Sequence, residues 1–361
     1  MPPAWIRENI LLAPLTTLRI GGPARYLAEA TCESQVQDGL AFAEGRGVPV
    51  FVLGGGSNIL VADSGFPGLV LRVALMGVSR ANSRNDGVVT AGAGEEWDGF
   101  VRLCVEREWA GVECLSGIPG SIGGTPVQNV GAYGQEVSEV IVTVRVLDRV
   151  AKSVRELQKT ECGFTYRTSI FNTTHRDRYI VLGVTFALQV GGAARIDYAD
   201  VRRHFAGRTD HLSLTEVREA VRRIRASKAM LLVPEDPDCR SAGSFFKNPI
   251  VSEERFLEIE SEARRHGCLQ EGESLPRFMA PAGMVKIPAA WLIERAGFQK
   301  GYTRRKAGIS TKHTLALVNR GGATASDILE LMREIQDRVN QIYGVWLNPE
   351  PVFVGFDEPM K

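Results

Sequence analysis

The segment from Ser116 to Glu136, SGIPGSIGGTPVQNVGAYGQE, limits what this chain can fold into more than any other stretch. Six glycines stand in it among few bulky side chains, at positions 117, 120, 123, 124, 131 and 134. Glycine weakens helices and strands alike, so neither is expected here. We predict that this backbone wraps a bound group such as a pyrophosphate. A flexible loop is the alternative, although Ile118, Val127 and Val130 are unusual at loop tips.

A second glycine cluster, LGGGSNIL from Leu53 to Leu60, follows the apolar run VPVFV. Three consecutive glycines allow a sharp turn and let backbone N–H groups approach a phosphate without obstruction by side chains. Ser57 and Asn58 can add polar contacts. Taken alone, the cluster fits an ordinary tight turn between strands as well as it fits a phosphate site.

Neither cluster has the GxGxxG spacing of a Rossmann dinucleotide site, and the GAGEEW sequence that begins at Gly92 lacks the third glycine. No GxxxxGK[ST] motif is present either. A nucleotide cofactor of this chain is therefore expected in another kind of fold.

Length and charge narrow the class of protein. A chain of 361 residues is expected to form two or three domains with a substantial core. Its 43 Lys and Arg residues nearly balance 42 Asp and Glu residues, so no global field indicates a nucleic-acid or membrane binder. An anionic ligand would have to be held by local positive charge.

The cysteines and histidines argue against a secreted disulfide scaffold and against a zinc enzyme. Six cysteines show no CxxC pair, and the five histidines form no HExxH motif. The first residues do not resemble a signal peptide, and no run of about 18 apolar residues occurs. We therefore expect a soluble cytoplasmic protein with no bound metal.

The first half of the chain is predicted to be a mixed α/β region. Short β-branched runs alternate with glycine turns from residue 16 to about 190, and helical patterns over 32–47 and 97–109 interrupt them. The segment 213–228 has the pattern of an amphipathic helix, with an apolar stripe and arginines elsewhere. We place a domain boundary near residue 226, before a loop rich in proline and glycine.

The last long helix has the most complete sequence signature. Five apolar residues fall on one of its faces, namely Ile328, Met332, Ile335, Val339 and Ile342. Thr324 and Asp327 have the spacing of a capping box, and Gly344 is a stop signal. A short strand, VWLNPEPVFVGF, is predicted to follow.

Three further motifs contain candidate reactive groups. In CGFTYRTSIF, Arg167 follows an aromatic residue, and a guanidinium held in this way suits a carboxylate, although the motif taken alone favours a structural role. In SAGSFFKNP, Ser244 lies between a glycine turn and two phenylalanines; it is not in a GxSxG elbow, and it can cap a turn or donate a proton. In NPEPVFVG, two prolines restrict the backbone of Glu350, which is either an edge residue or a buried acid.

These five elements, in this order, resemble those of the UDP-N-acetylenolpyruvoylglucosamine reductases, flavoenzymes that complete UDP-N-acetylmuramate. The similarity runs from about Thr17 to Gly355, and the strings IPGSIGGTPVQNVGAYG and AGSFFKNP are each specific. The resemblance implies an α+β chain: a two-subdomain FAD-binding fold of the vanillyl-alcohol-oxidase (PCMH) type, then a C-terminal α/β substrate-binding domain. We assign residues 1–226 to the first, split near 85, and 227–361 to the second, whose last strand returns to the FAD region.

The resemblance also implies roles for individual residues. Arg167, Ser244 and Glu350 match the catalytic residues, with Ser244 as the proton donor. Tyr198, Lys228 and Asn248 match substrate-binding residues, and Tyr198 marks the type that carries an extra tyrosine loop. The loop 229–243 is longer than in compact members of the family. The implied cofactor-binding residues are Gly54, Gly55, Gly56, Ser57, Asn58, Ser116, Pro119, Gly120, Ser121, Gly123, Gly124, Gln128, Asn129, Gly131, Ala132 and Tyr133.

The implied activity is the NADPH-dependent, FAD-mediated reduction of UDP-N-acetyl-3-O-(1-carboxyvinyl)-glucosamine in peptidoglycan precursor synthesis. A hydride passes from flavin N5 to the vinyl carbon, and a proton follows from Ser244. The protein is expected to be a cytoplasmic monomer with no obligate protein partner. Two other hypotheses compete with this one. The first is an FAD oxidase of the same superfamily that uses oxygen, and the C-terminal SFFKNP and PE elements argue against it. The second is a non-catalytic nucleotide-sugar sensor, in which Ser244 or Glu350 would be expected to be lost, yet both are present.

Overall fold

The computed structural model describes residues 2–80, 87–208 and 210–356. Contacts divide the chain into a first unit, Met1–Ile10, Ala24–Gly56 and Pro67–Ser227, and a second unit, Leu11–Pro23, Ser57–Phe66 and Lys228–Lys361. Two stretches of the predicted region 1–226 thus belong to the second unit. The predicted split near 85 lies outside the described residues. No helix in the described ranges is long and apolar enough to cross a membrane.

The predicted helices are confirmed, and three more are present. In chain order the described α-helices are Glu33–Arg46 (α1), Trp97–Glu106 (α2), Ala199–His204 (α3), Leu214–Ser227 (α4), Glu253–Arg265 (α5), Ala289–Arg295 (α6) and Ala325–Tyr343 (α7). The capping box of Thr324 and Asp327 is formed at the start of α7, and Gly344 ends the helix at a φ of 61°. These local signals work because they satisfy backbone groups that a helix leaves unpaired at its ends.

The first unit is built on two β-sheets. In spatial order, the strands of the first sheet are Ile6–Leu11, Pro23–Ala30, Phe66–Val73 and Val50–Leu53. Those of the second are Ser153–Gln158, Ile141–Asp148, Tyr179–Ala187, Val88–Gly92 and Val78–Arg80. Two-residue strands pair at Gly131–Ala132 with Gln135–Glu136, and at Trp109–Ala110 with Gln189–Val190. Trp97, Phe100 and Phe186 pack as an aromatic cluster in the core between α2 and the second sheet.

The second unit packs α5, α6 and α7 around short strands. The strands of one sheet are, in spatial order, Ile250–Val251, Val285–Lys286 and Phe278–Met279. Those of another are Thr303–Arg304, Ala307–Ile309 and Leu317–Asn319. The apolar face predicted for α7 is buried in this core. Phe245 and Phe246, at 0% and 1% exposure, anchor the SFFKNP segment in the same core.

The predicted C-terminal strand is shorter than its sequence pattern. Only Val352–Val354 forms a strand, and it pairs in parallel with Ile59–Val61 inside the second unit. Pro349 and Pro351 have no backbone N–H, so neither can donate a hydrogen bond to a neighbouring strand. Between the two prolines, the Glu350 N–H makes a backbone hydrogen bond that is described below.

Candidate active site

The two glycine segments predicted to hold a cofactor pack against each other in the first unit. A Cβ atom on Gly55 would lie 2.5 Å from Gly120 Cα, and one on Gly54 would lie 3.0 Å from Ser121 Oγ. Such an approach of two backbones is open only to glycine at position 55. Ser121 Oγ is buried and has no hydrogen-bond partner among the described residues. A buried hydroxyl left unpaired beside glycine backbone fits a phosphate-bearing group such as FAD.

Two other predicted cofactor residues shape this loop from inside the protein. Ser116 is fully buried, and its hydroxyl donates to the Glu113 carbonyl at 2.6 Å. Asn129 is also buried; its amide donates to Glu136 Oε2 at 2.8 Å and to the Thr165 carbonyl at 3.1 Å. The side chains of Ser116 and Asn129 therefore hold the loop in shape, and only their backbone groups are available to a ligand.

The other predicted loop residues follow the same turn and differ in exposure. Gln128, Pro119, Gly120, Gly123, Gly124, Gly131 and Ala132 are half-buried, and Tyr133 is buried. Asn129 and Tyr133 have left-handed backbones with φ of 46° and 48°. Residues other than glycine adopt this conformation at a cost of about 1 kcal/mol or more, and they cluster at functional sites. The predicted cofactor loop thus contains two such strained residues.

Arg167 lies against this loop. A tight turn, closed by hydrogen bonds between Thr165 and Thr168, carries Arg167 at a φ of 55°. The side chain is half-buried, and a Cβ on Gly131 would lie 3.4 Å from Arg167 Nη1. The guanidinium carbon is 5.6 Å from the centre of the Tyr166 ring. The predicted catalytic arginine and the predicted cofactor loop are therefore neighbours within the first unit.

Tyr198 belongs to the same group of side chains. It stands at the N-cap position of α3, is 38% exposed, and meets Tyr133 edge to face with ring centres 5.4 Å apart. An exposed tyrosine on a short helix beside the loop can reach a ligand there without disturbing the core.

In the second unit, the backbone brings Ser244 and Glu350 together. The Glu350 N–H donates to the Phe245 carbonyl at 2.8 Å, and Phe246 forms an antiparallel bridge with Pro349. Ser244 immediately precedes this pairing, after Gly243 at a φ of 75°. Two motifs more than a hundred residues apart in sequence are thus adjacent in space.

Asn58 is tied to the same place. Its side-chain amide donates to the Glu350 carbonyl at 3.2 Å, and its own carbonyl accepts from the Val352 N–H at 2.9 Å. Asn58 therefore fixes the backbone on either side of Pro351. Ser57, its neighbour, accepts at its carbonyl from the Thr17 hydroxyl at 3.4 Å.

The Ser244 hydroxyl is half-buried and makes no hydrogen bond within residues 2–80, 87–208 and 210–356. It is therefore available to a ligand. Asn248 is partly committed, because its Oδ1 accepts from the N–H of Ala289 in the first turn of α6 at 2.9 Å. This contact fixes the orientation of the Asn248 side chain.

Lys228 lies in a positive cluster that sequence reasoning did not find. Burial, together with the charges of Lys228 and Lys300, lowers the pKa of His313 to about 4. A neutral imidazole beside two ammonium groups suits an anionic ligand. Nothing in the sequence connects these three positions, since they come from separate segments of the second unit.

The His313 environment predicts a pH dependence of stability. Because its pKa is about 4 when folded against 6.5 when unfolded, protonation favours the unfolded chain as the pH falls from 6.5 to 4. We expect the wild type to lose up to about 3 kcal/mol of unfolding free energy over this range, relative to His313→Gln. Urea unfolding at pH 7.5, 5.5 and 4.5 measures this difference. The exposed His211→Gln is the matched control, and parallel pH curves for His313→Gln and wild type would contradict the expectation.

Arg225 is a second residue that the pattern missed. The arginines of α4 are predicted off the buried face, and for Arg225 this is wrong: it is 8% exposed. It follows Val217 and Val221 at four-residue intervals, so it shares their stripe. Its Nε donates to the Gly117 carbonyl at 3.1 Å. Burial lowers its pKa, and the charged or titratable groups that act on it are Tyr133, Asp98, Arg167 and Arg222.

Known protein families match both the N-terminal and the C-terminal parts of the chain. A family model for an FAD-binding domain matches residues 24–155, and one for the C-terminal domain of UDP-N-acetylenolpyruvoylglucosamine reductase matches residues 234–354. The reductase of that name from Thermobifida fusca is 47% identical over 351 residues, which cover 96% of this chain and 98% of that protein. The chain belongs to the UDP-N-acetylenolpyruvoylglucosamine reductase family.

Other members of the family agree. The UDP-N-acetylenolpyruvoylglucosamine reductase from Streptomyces coelicolor is 47% identical over 348 residues, covering 95% of this chain and 89% of that protein. The crystal structure of the reductase from Thermus caldophilus is 26% identical, with a TM-score of 0.65 over 97% of this chain and 99% of that one.

The resemblance and the fold class inferred from the sequence are therefore confirmed. The chain is an oxidoreductase with an FAD-binding domain and a reductase C-terminal domain, and it acts in peptidoglycan precursor synthesis on a nucleotide sugar. FAD and NADPH are the cofactors of this family, as expected from the sequence. The predicted roles of individual residues and the domain boundaries stay predictions.

Proposed function

We propose that this reductase converts UDP-N-acetyl-3-O-(1-carboxyvinyl)-glucosamine to UDP-N-acetylmuramate, with NADPH as the electron source and Ser244 as the proton donor. The observation that supports this most is the backbone pairing of Glu350 with Phe245, which brings the chain segments of Ser244 and Glu350 together. When bound, FAD supplies the hydride chemistry. The proposed FAD region is residues 1–226 and the substrate region 227–361; the cytoplasm is the proposed compartment and a monomer the proposed state.

The proposed cofactor residues fit FAD by shape and by unsatisfied polarity. Gly54 and Gly55 contact Gly120 and Ser121 so closely that no side chain separates the two backbones. The Ser121 hydroxyl, which has no hydrogen-bond partner in the described part of the chain, and the N–H groups of the exposed residues Gly54 and Gly55 are suitable donors to a phosphate.

Arg167 and Glu350 are proposed to act on the substrate carboxylate. Reduction of a double bond conjugated to a carboxylate builds negative charge on that carboxylate in the transition state. A guanidinium can meet both oxygens, and it stabilises this charge more strongly where water is excluded. Glu350 is proposed to assist at the same carboxylate.

Ser244 is proposed to protonate the carbon next to the ether oxygen. Its hydroxyl makes no hydrogen bond to the described part of the protein, so a ligand can engage it. The backbone pairing beyond it fixes its position, and a proton delivered from one side sets a single configuration at that carbon.

The remaining proposed contacts hold the nucleotide sugar. Lys228, with His313 and Lys300 nearby, provides the local positive charge that a diphosphate needs in a chain of net charge +1. Asn248, oriented by its contact with Ala289, is proposed to bind the sugar, and Tyr198 to cover the ligand from its exposed position beside Tyr133.

An absorbance experiment tests the proposed function. We expect purified protein to be yellow, to be bleached by NADPH without oxygen, and to regain its colour on adding the enolpyruvyl UDP-sugar. UDP-N-acetylglucosamine, which lacks the double bond, is the matched control and should leave the protein bleached. Recolouring only by oxygen would support the oxidase instead, and binding of the sugar without recolouring would support the sensor.

A further inference from the structure

The backbone of Gly117 is held at both of its hydrogen-bonding groups within the first unit. Its N–H donates to Asp98 Oδ1 at 2.6 Å, and its carbonyl accepts from Arg225 Nε at 3.1 Å. Gly117 is buried and has a left-handed φ of 73°. Asp98 comes from α2 and Arg225 from α4, so two helices fix the start of the glycine loop.

The start of α2 holds this loop at several further points. The Trp97 N–H donates to the Gly120 carbonyl at 3.1 Å, and the Trp97 indole N–H donates to the Leu115 carbonyl at 3.1 Å. Glu96 forms an antiparallel bridge with Ser121. The residues that contact Gly54 and Gly55 are therefore built directly on the N-terminal turn of α2.

Asp98 contributes a paired negative charge at the start of α2. Arg218 binds the Asp98 carboxylate through two hydrogen bonds, Nη1 to Oδ1 at 2.6 Å and Nη2 to Oδ2 at 3.0 Å. Arg222 donates a third hydrogen bond at 2.5 Å. The Asp98 and Arg218 side chains are 19% and 11% exposed. Burial opposes ionisation, but the hydrogen bonds from Arg218 and Gly117 and the two arginine charges outweigh it, so the pKa of Asp98 lies below its usual range.

We propose that Asp98, held by Arg218, is a positioning residue for the FAD loop. The carboxylate fixes the Gly117 N–H and thereby the orientation of the backbone that leads to Gly120 and Ser121. Charge-assisted hydrogen bonds are about twice as strong as neutral ones, so the negative charge itself holds the loop in shape. The inference rests on the proposed assignment of Gly54–Gly55 and Gly120–Ser121 to FAD.

The test compares FAD affinity in Asp98→Asn with that of Glu106→Gln. Asparagine keeps the size of Asp98 but cannot serve Gly117 and two arginines as a charged acceptor, so we expect the Kd for FAD to rise about ten- to hundredfold. Glu106→Gln removes a charge from the same helix, but its pair with Arg102 is exposed and 3.8 Å long, so the Kd should stay unchanged. Fluorescence titration of the apoprotein with FAD measures both.

A merely structural role would give a different pattern. At saturating FAD, Asp98→Asn should regain wild-type kcat and an unchanged KM for the UDP-sugar, because the residue touches neither substrate. Its weak FAD binding should persist at 15 °C under conditions where circular dichroism shows the apoprotein fully folded. Recovery of the wild-type Kd at that temperature would mean that Asp98 only stabilises the fold, and would overturn the inference.

Two further variants keep the outcome decisive. Arg218→Lys keeps the charge but loses the two-point grip, so we expect a smaller rise in Kd, about three- to tenfold. If Asp98→Asn does not fold, an unchanged Kd in Arg218→Lys overturns the inference.

Gly55→Ala should weaken FAD binding because its Cβ would meet Gly120. If Gly55→Ala binds FAD normally, the proposed cofactor site fails; if it binds weakly while Asp98→Asn binds normally, only the present inference fails.

Discussion

Replacing Ser244 by alanine is expected to lower turnover by about a hundred- to ten-thousandfold, the range that general acid catalysis contributes. NADPH should still bleach the bound flavin at the wild-type rate, because that half of the reaction needs no proton from Ser244. The return of colour on adding the enolpyruvyl UDP-sugar should be slowed by the full factor. Anaerobic stopped-flow absorbance separates the two halves.

The structure makes this variant a clean one. The Ser244 hydroxyl makes no hydrogen bond within the described ranges, and the neighbouring backbone is held by Phe245 and Glu350 main-chain groups that alanine leaves in place. Ser326→Ala is the control: it removes an exposed hydroxyl in the same unit, bound to Asp63. Near-normal recolouring in Ser244→Ala would rule out Ser244 as the proton donor.

Local signals account for the parts of the fold that the sequence predicted. Helix α7 has its cap, apolar face and stop within twenty-one residues, Thr324 to Gly344, so each signal acts on neighbouring backbone. The limits of that approach appear at Arg225. A hydropathy stripe treats arginine as solvated, yet this side chain is buried because the Gly117 carbonyl, from a distant segment, accepts its hydrogen bond.

For the same reason, only some residues of the candidate site could be predicted from the sequence. Ser244 and the glycine segments lie in specific strings, so each could be found without knowing any partner. Asp98 and His313 stand in unremarkable sequence. Their surroundings come from other segments: Arg218 and Gly117 for Asp98, and Lys228 and Lys300 for His313. Only tertiary structure supplies such neighbours, and the assignment of Leu11–Pro23 and Ser57–Phe66 to the second unit has the same origin.

Replacing Arg167 by lysine is expected to slow the reduction of the UDP-sugar by about a hundred- to thousandfold, as loss of one donor to a developing negative charge does. Lysine keeps the positive charge but offers no planar fork to a carboxylate. The backbone should not change, because lysine and arginine bear a similar cost at a φ of 55°, and Asn172 holds the Arg167 carbonyl rather than its side chain. Single-turnover recolouring measures the effect.

The distribution of the loss between kcat and KM decides what Arg167 does. A contact made mainly in the transition state lowers kcat, whereas one made equally with bound substrate raises KM alone. We expect the loss in kcat, with FAD affinity within a few-fold of wild type, although Arg167 lies near Gly131. Arg176→Lys, an exposed arginine paired with Asp177 at 3.8 Å, is the matched control. If Arg167→Lys raises KM and leaves kcat unchanged, the arginine anchors the substrate and does not stabilise the charge that forms during reduction.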